Sequence, residues 1–264
     1  MTVMNIGFIG LGAMGEPMCE HILAAGHRVY SCANQNRGPI ERLKQKGLIE
    51  KENSGQVGTE SDVLFTVVWD EAQNDKVLRG ESGALAALKP GSTIVLMSTI
   101  SPAYCRELAE KAAKSGVNVL DCPVSGLASG ARAATLSLMV GGEDSVIEHC
   151  RPILETMGTV LKCGPLGTGQ AVKLGNNAIV LGSYQLIQEV RDTVAAEGVE
   201  LENFMAILNQ STGRSFVSEN LPMPKTRQPL RAMPKKDISR CLEVADAKGV
   251  KMPMLSACYQ SGTE

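Results

Sequence analysis

Short apolar runs rich in β-branched residues alternate with segments of helical pattern along the first 160 residues. The runs predict strands at 5–10, 28–32, 62–68, 92–97, 117–121 and 135–140. The clearest helix signal begins at Ser101 and Pro102 and ends at Gly116. Strands and helices that repeat in this order predict an α/β domain with a mostly parallel sheet and helices on both faces.

The pattern changes after the glycine-rich turn at 164–169. No further β-rich run follows, and a long helical segment without proline extends from about Thr168 to Ala196. We therefore predict two domains, an α/β domain over residues 1–165 and an all-helical domain over 166–264 that begins with a long interdomain helix. The proline-rich stretch 219–237 is expected to be a surface connection between helices.

Composition and charge exclude several classes of protein. With 44% hydrophobic residues, 20% charged residues and a net charge of -2, the chain resembles an ordinary globular protein and is not expected to bind nucleic acid or a membrane. The eight cysteines form no C-x-x-C pair and the three histidines are dispersed, so no metal site is expected. Reduced thiols, no leader and no long apolar segment together favour a cytoplasmic location.

Three glycines directly after the first strand carry the first chemical signal. Gly10, Gly12 and Gly15 have G-x-G-x-x-G spacing, which provides a tight turn, close approach of the backbone to a pyrophosphate, and close packing of the next helix. A glycine-rich turn without function is the alternative, but the flanking strand and helix favour a Rossmann-type, doubly wound dinucleotide-binding domain. The candidate cofactor-binding residues here are Gly10, Leu11, Gly12, Ala13, Met14 and Gly15.

The end of the second strand bears on the choice of dinucleotide. An acidic residue there would bind the ribose 2′-hydroxyl of NAD, but no acid occurs between Gly26 and Glu41. Asn34 and Arg37 could instead meet a 2′-phosphate, which favours NADP. Arg37 as a solvated loop charge is the alternative, and it leaves NAD open.

Five short motifs, in order and over nearly the whole chain, then resemble one family. They are "GFIGLGAMG" (7–15), "STISP" (98–102), "DCPVSG" (121–126), "GTGQAVKLGNN" (167–177) and "KKD" (235–237). The chain thereby resembles the beta-hydroxyacid dehydrogenases. The resemblance implies an enzyme that transfers a hydride between NAD(P) and a short 3-hydroxy acid or its semialdehyde, and a homodimer formed through the helical domain.

The resemblance also implies roles for individual residues. Lys173 is the implied catalytic group, and Asn177 supports it. Ser125 and Gly126 are implied to bind the substrate carboxylate, and Lys236 to line the substrate cleft. Thr99, together with Ser98, is implied to lie beside the nicotinamide. For each of these an ordinary structural role is the alternative: a surface lysine at 173 or 236, a strand-end hydroxyl at 125, and helix caps at 98 and 99.

The spacing of Lys173 and Asn177 supports the catalytic interpretation independently. Residues four apart share one face of a helix, so both side chains can reach one substrate oxygen. A lysine in a dry cleft beside a cationic nicotinamide is expected to have a lowered pKa, which suits a general acid and base. This lysine argues against the alternative of an imine reductase on the same fold, and the combination with Ser125 argues against a non-catalytic NAD(P)-binding module.

One residue departs from the family pattern. Leu127 follows Gly126, where the family usually has a second glycine. A bulky side chain beside the carboxylate-binding residues changes the pocket, so the substrate cannot be copied from any one family member.

Overall fold

The computed structural model describes residues 3–224, 226 and 232–261. The chain divides into two compact units, Met1–Lys173 and Leu174–Glu264. The predicted domain boundary at residues 165 and 166 stays a prediction.

The first unit is built on one nine-stranded sheet. Its strands are β1 Asn5–Ile9, β2 Arg28–Cys32, β3 Ile49–Lys51, β4 Val63–Thr66, β5 Thr93–Leu96, β6 Asn118–Asp121, β7 Val124–Ser125, β8 Leu136–Gly141 and β9 Gly158–Gly164. The strand order is β3-β2-β1-β4-β5-β6-β8-β7, and β9 pairs with β8. All pairs are parallel except β6 with β8 and β7 with β8. The order reverses between β1 and β4, the position at which such sheets bind ligands.

Helices connect the strands. In the first unit they are α1 Gly15–Ala24, α2 Gly38–Lys44, α3 Ser54–Glu60, α4 Glu71–Arg79, α5 Pro102–Ala113, α6 Leu127–Ala133 and α7 Asp144–Leu154. The long helix α8, Thr168–Ala196, begins in the first unit and continues in the second. The second unit also contains α9 Leu201–Asn209, α10 Phe216–Asn220, α11 Ala232–Asp246 and α12 Pro253–Ser261.

Two apolar clusters fill the first unit because its central strands are buried on both faces. Phe8 and Phe65 belong to one cluster, whereas their strand neighbours Ile9 and Leu64 belong to the other. Side chains alternate along a strand, so neighbours point to opposite faces of the sheet and each face needs a helical cover. A smaller cluster that includes Leu174 and Ile238 lies in the second unit.

The predicted fold class is confirmed, with an α/β unit followed by a helical one. All six predicted strands are present, and β3, β7 and β9 were not predicted. The predicted connection at 219–237 is wrong at both ends, because Glu219 and Asn220 lie in α10 and residues 232–237 lie in α11. Within the connection, residues 225 and 227–231 lie outside the described residues.

Candidate active site

The glycine loop follows β1 at the switch point of the sheet. Gly10 has φ 108°, and a Cβ there would lie 2.2 Å from the carbonyl oxygen of Val67. A Cβ on Gly15 would lie 1.9 Å from the carbonyl oxygen of Gly10. A Cβ on Gly12 would meet nothing within 4 Å. The fold therefore requires glycine at positions 10 and 15, while the space beside Gly12 is open to a ligand.

The start of α1 suits an anion. Met14, at its N-cap, provides no side-chain hydrogen bond to the first turn. In that turn the Glu16 N–H bonds to the Gly12 carbonyl oxygen at 2.9 Å and Pro17 has no N–H, so it is the positive end of the helix dipole that favours a phosphate group here. The residues present thus fit the pyrophosphate of a dinucleotide.

Beyond β2, the candidate residues Asn34 and Arg37 are both exposed. Arg37 Nη2 lies 2.9 Å from Glu41 Oε1 and 2.7 Å from Glu50 Oε1. Lys44 joins the same group, 3.0 Å from Glu50 Oε2. Arg37 is therefore already ion-paired, and a phosphate that bound to it would compete with two carboxylates.

The loop after β5 places Thr99 within a hydrogen-bonded network. The Oγ of buried Ser98 accepts hydrogen bonds from the Val68 N–H and from Asn74 Nδ2, each at 3.1 Å. The helix cap is Ser101, whose Oγ accepts from the Tyr104 N–H. The alternative that Ser98 and Thr99 cap α5 is therefore wrong.

Gln170 connects this loop to α8. Its Nε2 donates to the Ser98 carbonyl at 2.9 Å, and its Oε1 accepts from the Ile100 N–H at 3.1 Å. One buried amide thus bonds to the peptide groups on both sides of Thr99. Lys173 lies three residues further along the same helix.

Asp121, the last residue of β6, holds the start of α8. Its two carboxylate oxygens accept from the Gly167 N–H at 2.6 Å and from the Gln170 N–H at 2.7 Å. Burial raises the pKa of this carboxyl to about 6, and these two N–H groups oppose the rise. The carboxylate thereby satisfies N–H groups that a helix start leaves without partners.

Ser125 and Gly126 form a separate group at the end of β7. Gly126 has φ 138° and precedes α6. Leu127 follows with φ 59°, a left-handed conformation that is costly for a leucine, and the residue is 54% exposed. The departure from the family pattern therefore coincides with a strained backbone.

Asn177 and Lys236 are brought together by a residue that the sequence analysis did not select. Asn177 Nδ2 donates to Oδ2 of buried Asp237 at 2.8 Å, while Lys236 Nζ lies 3.5 Å from Oδ1 of the same carboxylate. Asn176 donates to Asn177 Oδ1 at 3.2 Å. These bonds fix the orientation of the Asn177 amide.

Three residues of this region were thus missed: Asp121, Gln170 and Asp237. All three lie inside motifs that carried the family resemblance. Their partners are 46 to 72 residues away in the chain, so the sequence alone did not reveal the contacts.

No group of three or more metal-binding side chains occurs among the described residues. In that same part of the chain, no helix has the length and apolar character to cross a membrane.

Two family models match consecutive parts of the chain. The NAD binding domain of 6-phosphogluconate dehydrogenase matches residues 5–167. A model described as NAD-binding of NADP-dependent 3-hydroxyisobutyrate dehydrogenase matches residues 167–262.

Individual proteins agree with these models. The chain is 35% identical to 2-(hydroxymethyl)glutarate dehydrogenase of Eubacterium barkeri, over 82% of this chain and 72% of that protein. It is 33% identical to 2-hydroxy-3-oxopropionate reductase of Escherichia coli, over 97% of this chain and 89% of that protein. The structure of Mycobacterium tuberculosis 3-hydroxyisobutyrate dehydrogenase with L-serine superimposes with a TM-score of 0.87 at 28% identity, covering 99% of this chain and 93% of that one.

Proposed function

The chain belongs to the beta-hydroxyacid dehydrogenase family, and from this premise we propose that it is an NAD(P)-dependent oxidoreductase acting on a short 3-hydroxy acid or its semialdehyde. The observation that carries the proposal is the pair Lys173 and Asn177, one turn apart on α8, with the start of that helix bonded to the loop that contains Thr99.

The glycine loop and the start of α1 are proposed to hold the cofactor pyrophosphate, with Gly12 at the closest approach. When bound, the nicotinamide supplies or accepts the hydride. Thr99 is the residue proposed to lie beside it, in a loop whose backbone is fixed on both sides by Gln170.

Lys173 is proposed to move the proton that accompanies the hydride. During reduction its ammonium Nζ donates a proton to the carbonyl oxygen, and during oxidation the neutral amine takes that proton back from the alcohol. Asn177 is proposed to donate an amide N–H to the same oxygen, stabilising negative charge there without adding charge of its own. Asp237 holds the amide in orientation through its hydrogen bond to Nδ2.

The substrate is proposed to be a small carboxylate. The Ser125 hydroxyl and the backbone around Gly126 would bind the carboxylate group, and Lys236 would add positive charge. Named relatives act on hydroxy acids or their oxo forms, and L-serine, which accompanies one solved relative, is itself a 3-hydroxy acid. The exposed side chain of Leu127 favours a substrate that is apolar beside its carboxylate.

The cofactor is proposed to be NADP rather than NAD. Support comes from the exposed Asn34 and Arg37 and from the absence of an acid at the end of β2. The ion pairs of Arg37 with Glu41 and Glu50 are surface pairs, which contribute about 0 to 1 kcal/mol each and can be exchanged for a phosphate. Arg37→Ala should then lower kcat/KM for NADP about tenfold or more and leave NAD unaffected. Arg42→Ala, at an ion-paired arginine within α2, is the control.

A homodimer through the helical unit is proposed as well. Ile179, Leu186 and Val190 lie on one face of α8 and are 72%, 52% and 41% exposed. Their spacing of seven and four residues makes an apolar stripe, which is unfavourable in water and suited to a second copy of the same helix.

Turnover assays test the proposed activity. A panel of 3-hydroxy acids and of three- and four-carbon semialdehydes, each with NADP and NAD, is followed by the absorbance of the reduced nicotinamide. Lys173→Ala should lower kcat by about 10² to 10⁴ while cofactor affinity changes little. Lys114→Ala, at an exposed lysine after α5, is the matched control. Full turnover by Lys173→Ala would overturn the role of the lysine, and a wild type that turns over no member of the panel would favour a non-catalytic NAD(P)-binding module.

A further inference from the structure

The side chain of Gln170, in the first turn of α8, is bonded at two points to another loop of the first unit. The side chain has no exposed surface, and both of its polar atoms are used within that unit. A buried amide whose nitrogen donates and whose oxygen accepts has one favourable orientation, because a flipped amide would place its donor against a donor and its acceptor against an acceptor.

The two bonds of Gln170 act on Thr99 from both sides. One goes to the carbonyl of residue 98 and the other to the N–H of residue 100. The loop is held from behind as well, since Ser98 accepts from Asn74, and Asn74 accepts from Thr66 Oγ1 at 2.8 Å. The backbone at Thr99 is therefore fixed relative to β4 and to α8.

The main chain of Gln170 is fixed separately. Its N–H donates to Asp121. Gly169 allows the close approach, because a Cβ there would lie 2.2 Å from the Met139 carbonyl oxygen. Hydrogen bonds thereby hold the first turn of α8 against the sheet. Because helical geometry is regular, the position of this turn also sets the backbone position of Lys173, one turn later.

We propose that Gln170 is a positioning residue for hydride transfer, which sets the distance between the loop of Thr99 and Lys173. This inference rests on the proposed function. For this role the Gln170 amide must both donate to the carbonyl of residue 98 and accept from the N–H of residue 100. An apolar side chain of equal length does neither, and a carboxylate only accepts.

Two substitutions of Gln170 test this requirement. Gln170→Met keeps length and burial but removes both bonds, so kcat should fall about 10²-fold, the effect of a shift of about 1 Å in a reacting pair, with a much smaller change in the KM for the cofactor. Gln170→Glu keeps the acceptor. Its carboxyl, once protonated, also regains the donor to Ser98, so its kcat relative to wild type should rise as the pH is lowered, while the same ratio for Gln170→Met stays flat.

Controls separate positioning from stability. Asp121 is the carboxyl that bonds to the main chain of Gln170, and it titrates in the wild type as well. Gln170→Met adds no charge beside Asp121, so the ratio of its kcat to that of the wild type is the reference against which the pH response of Gln170→Glu is compared. Gln188→Met removes another fully buried glutamine, about 27 Å further along α8, and should leave kcat unchanged.

The outcomes are distinguishable. Two results would overturn the positioning role alone, provided that the wild type is active. One is a Gln170→Met variant that keeps the wild-type kcat per folded molecule. The other is a Gln170→Glu variant whose kcat, relative to wild type, does not recover as the pH is lowered. A wild type with no hydride transfer on the panel overturns the proposed function itself.

Discussion

Two residues of this chain that are not glycine have a left-handed backbone, within the part that the structure describes, and they lie at the two ends of α6. Leu127 has φ 59° and Ala134 has φ 54°. For L-residues this conformation costs about 1 to 2 kcal/mol. At Ala134 the strain ends a helix, a position where glycine is common. At Leu127 it presents a half-exposed side chain directly after Ser125 and Gly126, which is where we propose that the substrate carboxylate binds.

Glycine at these positions should therefore separate strain from recognition. Leu127→Gly and Ala134→Gly should each raise the free energy of unfolding by about 0.5 to 1 kcal/mol, because relief of strain exceeds the entropy that glycine adds to the unfolded chain. Chemical denaturation measures this change. Leu127→Gly alone should also shift kcat/KM among substrates of different size, and an identical substrate profile in the two variants would contradict a role of Leu127 in the pocket.

For single residues, the sequence predicted relations between residues that are close together in the chain, and it did not reveal contacts between residues that are far apart in it. Lys173 and Asn177 are four residues apart, so helical geometry was enough to place them on one face. The bond of Asn177 to Asp237 spans 60 residues and that of Gln170 to Ser98 spans 72, and no spacing rule predicts such pairs. The motifs contain Asp121, Gln170 and Asp237, but the hydrogen-bond partners of these residues became apparent only from the fold.

Among the elements, the end of β6 has a particular effect on α8, because Asp121 couples the helix start to pH. The buried carboxyl has its pKa raised from 3.8 to about 6. Ionisation of this group costs more in the folded than in the unfolded state. Its contribution to stability is therefore complete below the unfolded pKa and is lost as the pH rises through about 6.

The difference in the free energy of unfolding between wild type and Asp121→Asn should accordingly decrease by about 2 to 3 kcal/mol from about pH 4 to about pH 7. The wild-type kcat should change in the opposite direction to this stability difference, since it should be lower at low pH. A protonated carboxyl is a weaker acceptor for the Gly167 and Gln170 N–H groups, so wild-type kcat should fall as the pH drops below about 6. Urea denaturation across this pH range measures the difference in the free energy of unfolding, and turnover assays measure kcat. A difference in unfolding free energy that does not change with pH would contradict the raised pKa of Asp121.

The strands show which elements a sequence can reveal. β1, β4 and β5 are almost wholly buried, so their continuous apolar runs were distinct. β7 has two residues and β3 has three, too few for a pattern, and β9 is largely exposed along its length. Short and exposed strands form because a neighbour offers hydrogen bonds, which is a tertiary effect that local composition does not record.

For the whole molecule, the apolar stripe on α8 makes a prediction about assembly. The native mass should be twice the 28.0 kDa of one chain. A double variant, Ile179→Glu with Leu186→Glu, should return the protein to monomers because it places charge in the contact. Ala195→Glu, on the opposite side of the same helix, should not. Light scattering after size exclusion measures the mass, and a double variant that stays dimeric would remove the stripe from the interface.

The carboxylate of Asp121 also has a consequence for how the molecule exchanges hydrogen with solvent. Helix ends usually fray, and their first amides exchange quickly because they lack partners. Here the amides of Gly167 and Gln170 are buried against Asp121, and that of Ile100 against Gln170. These three hydrogens should exchange slowly and together, at the rate at which the helix start detaches from the sheet, so that deuterium uptake at residues 100, 167 and 170 would report a single local opening.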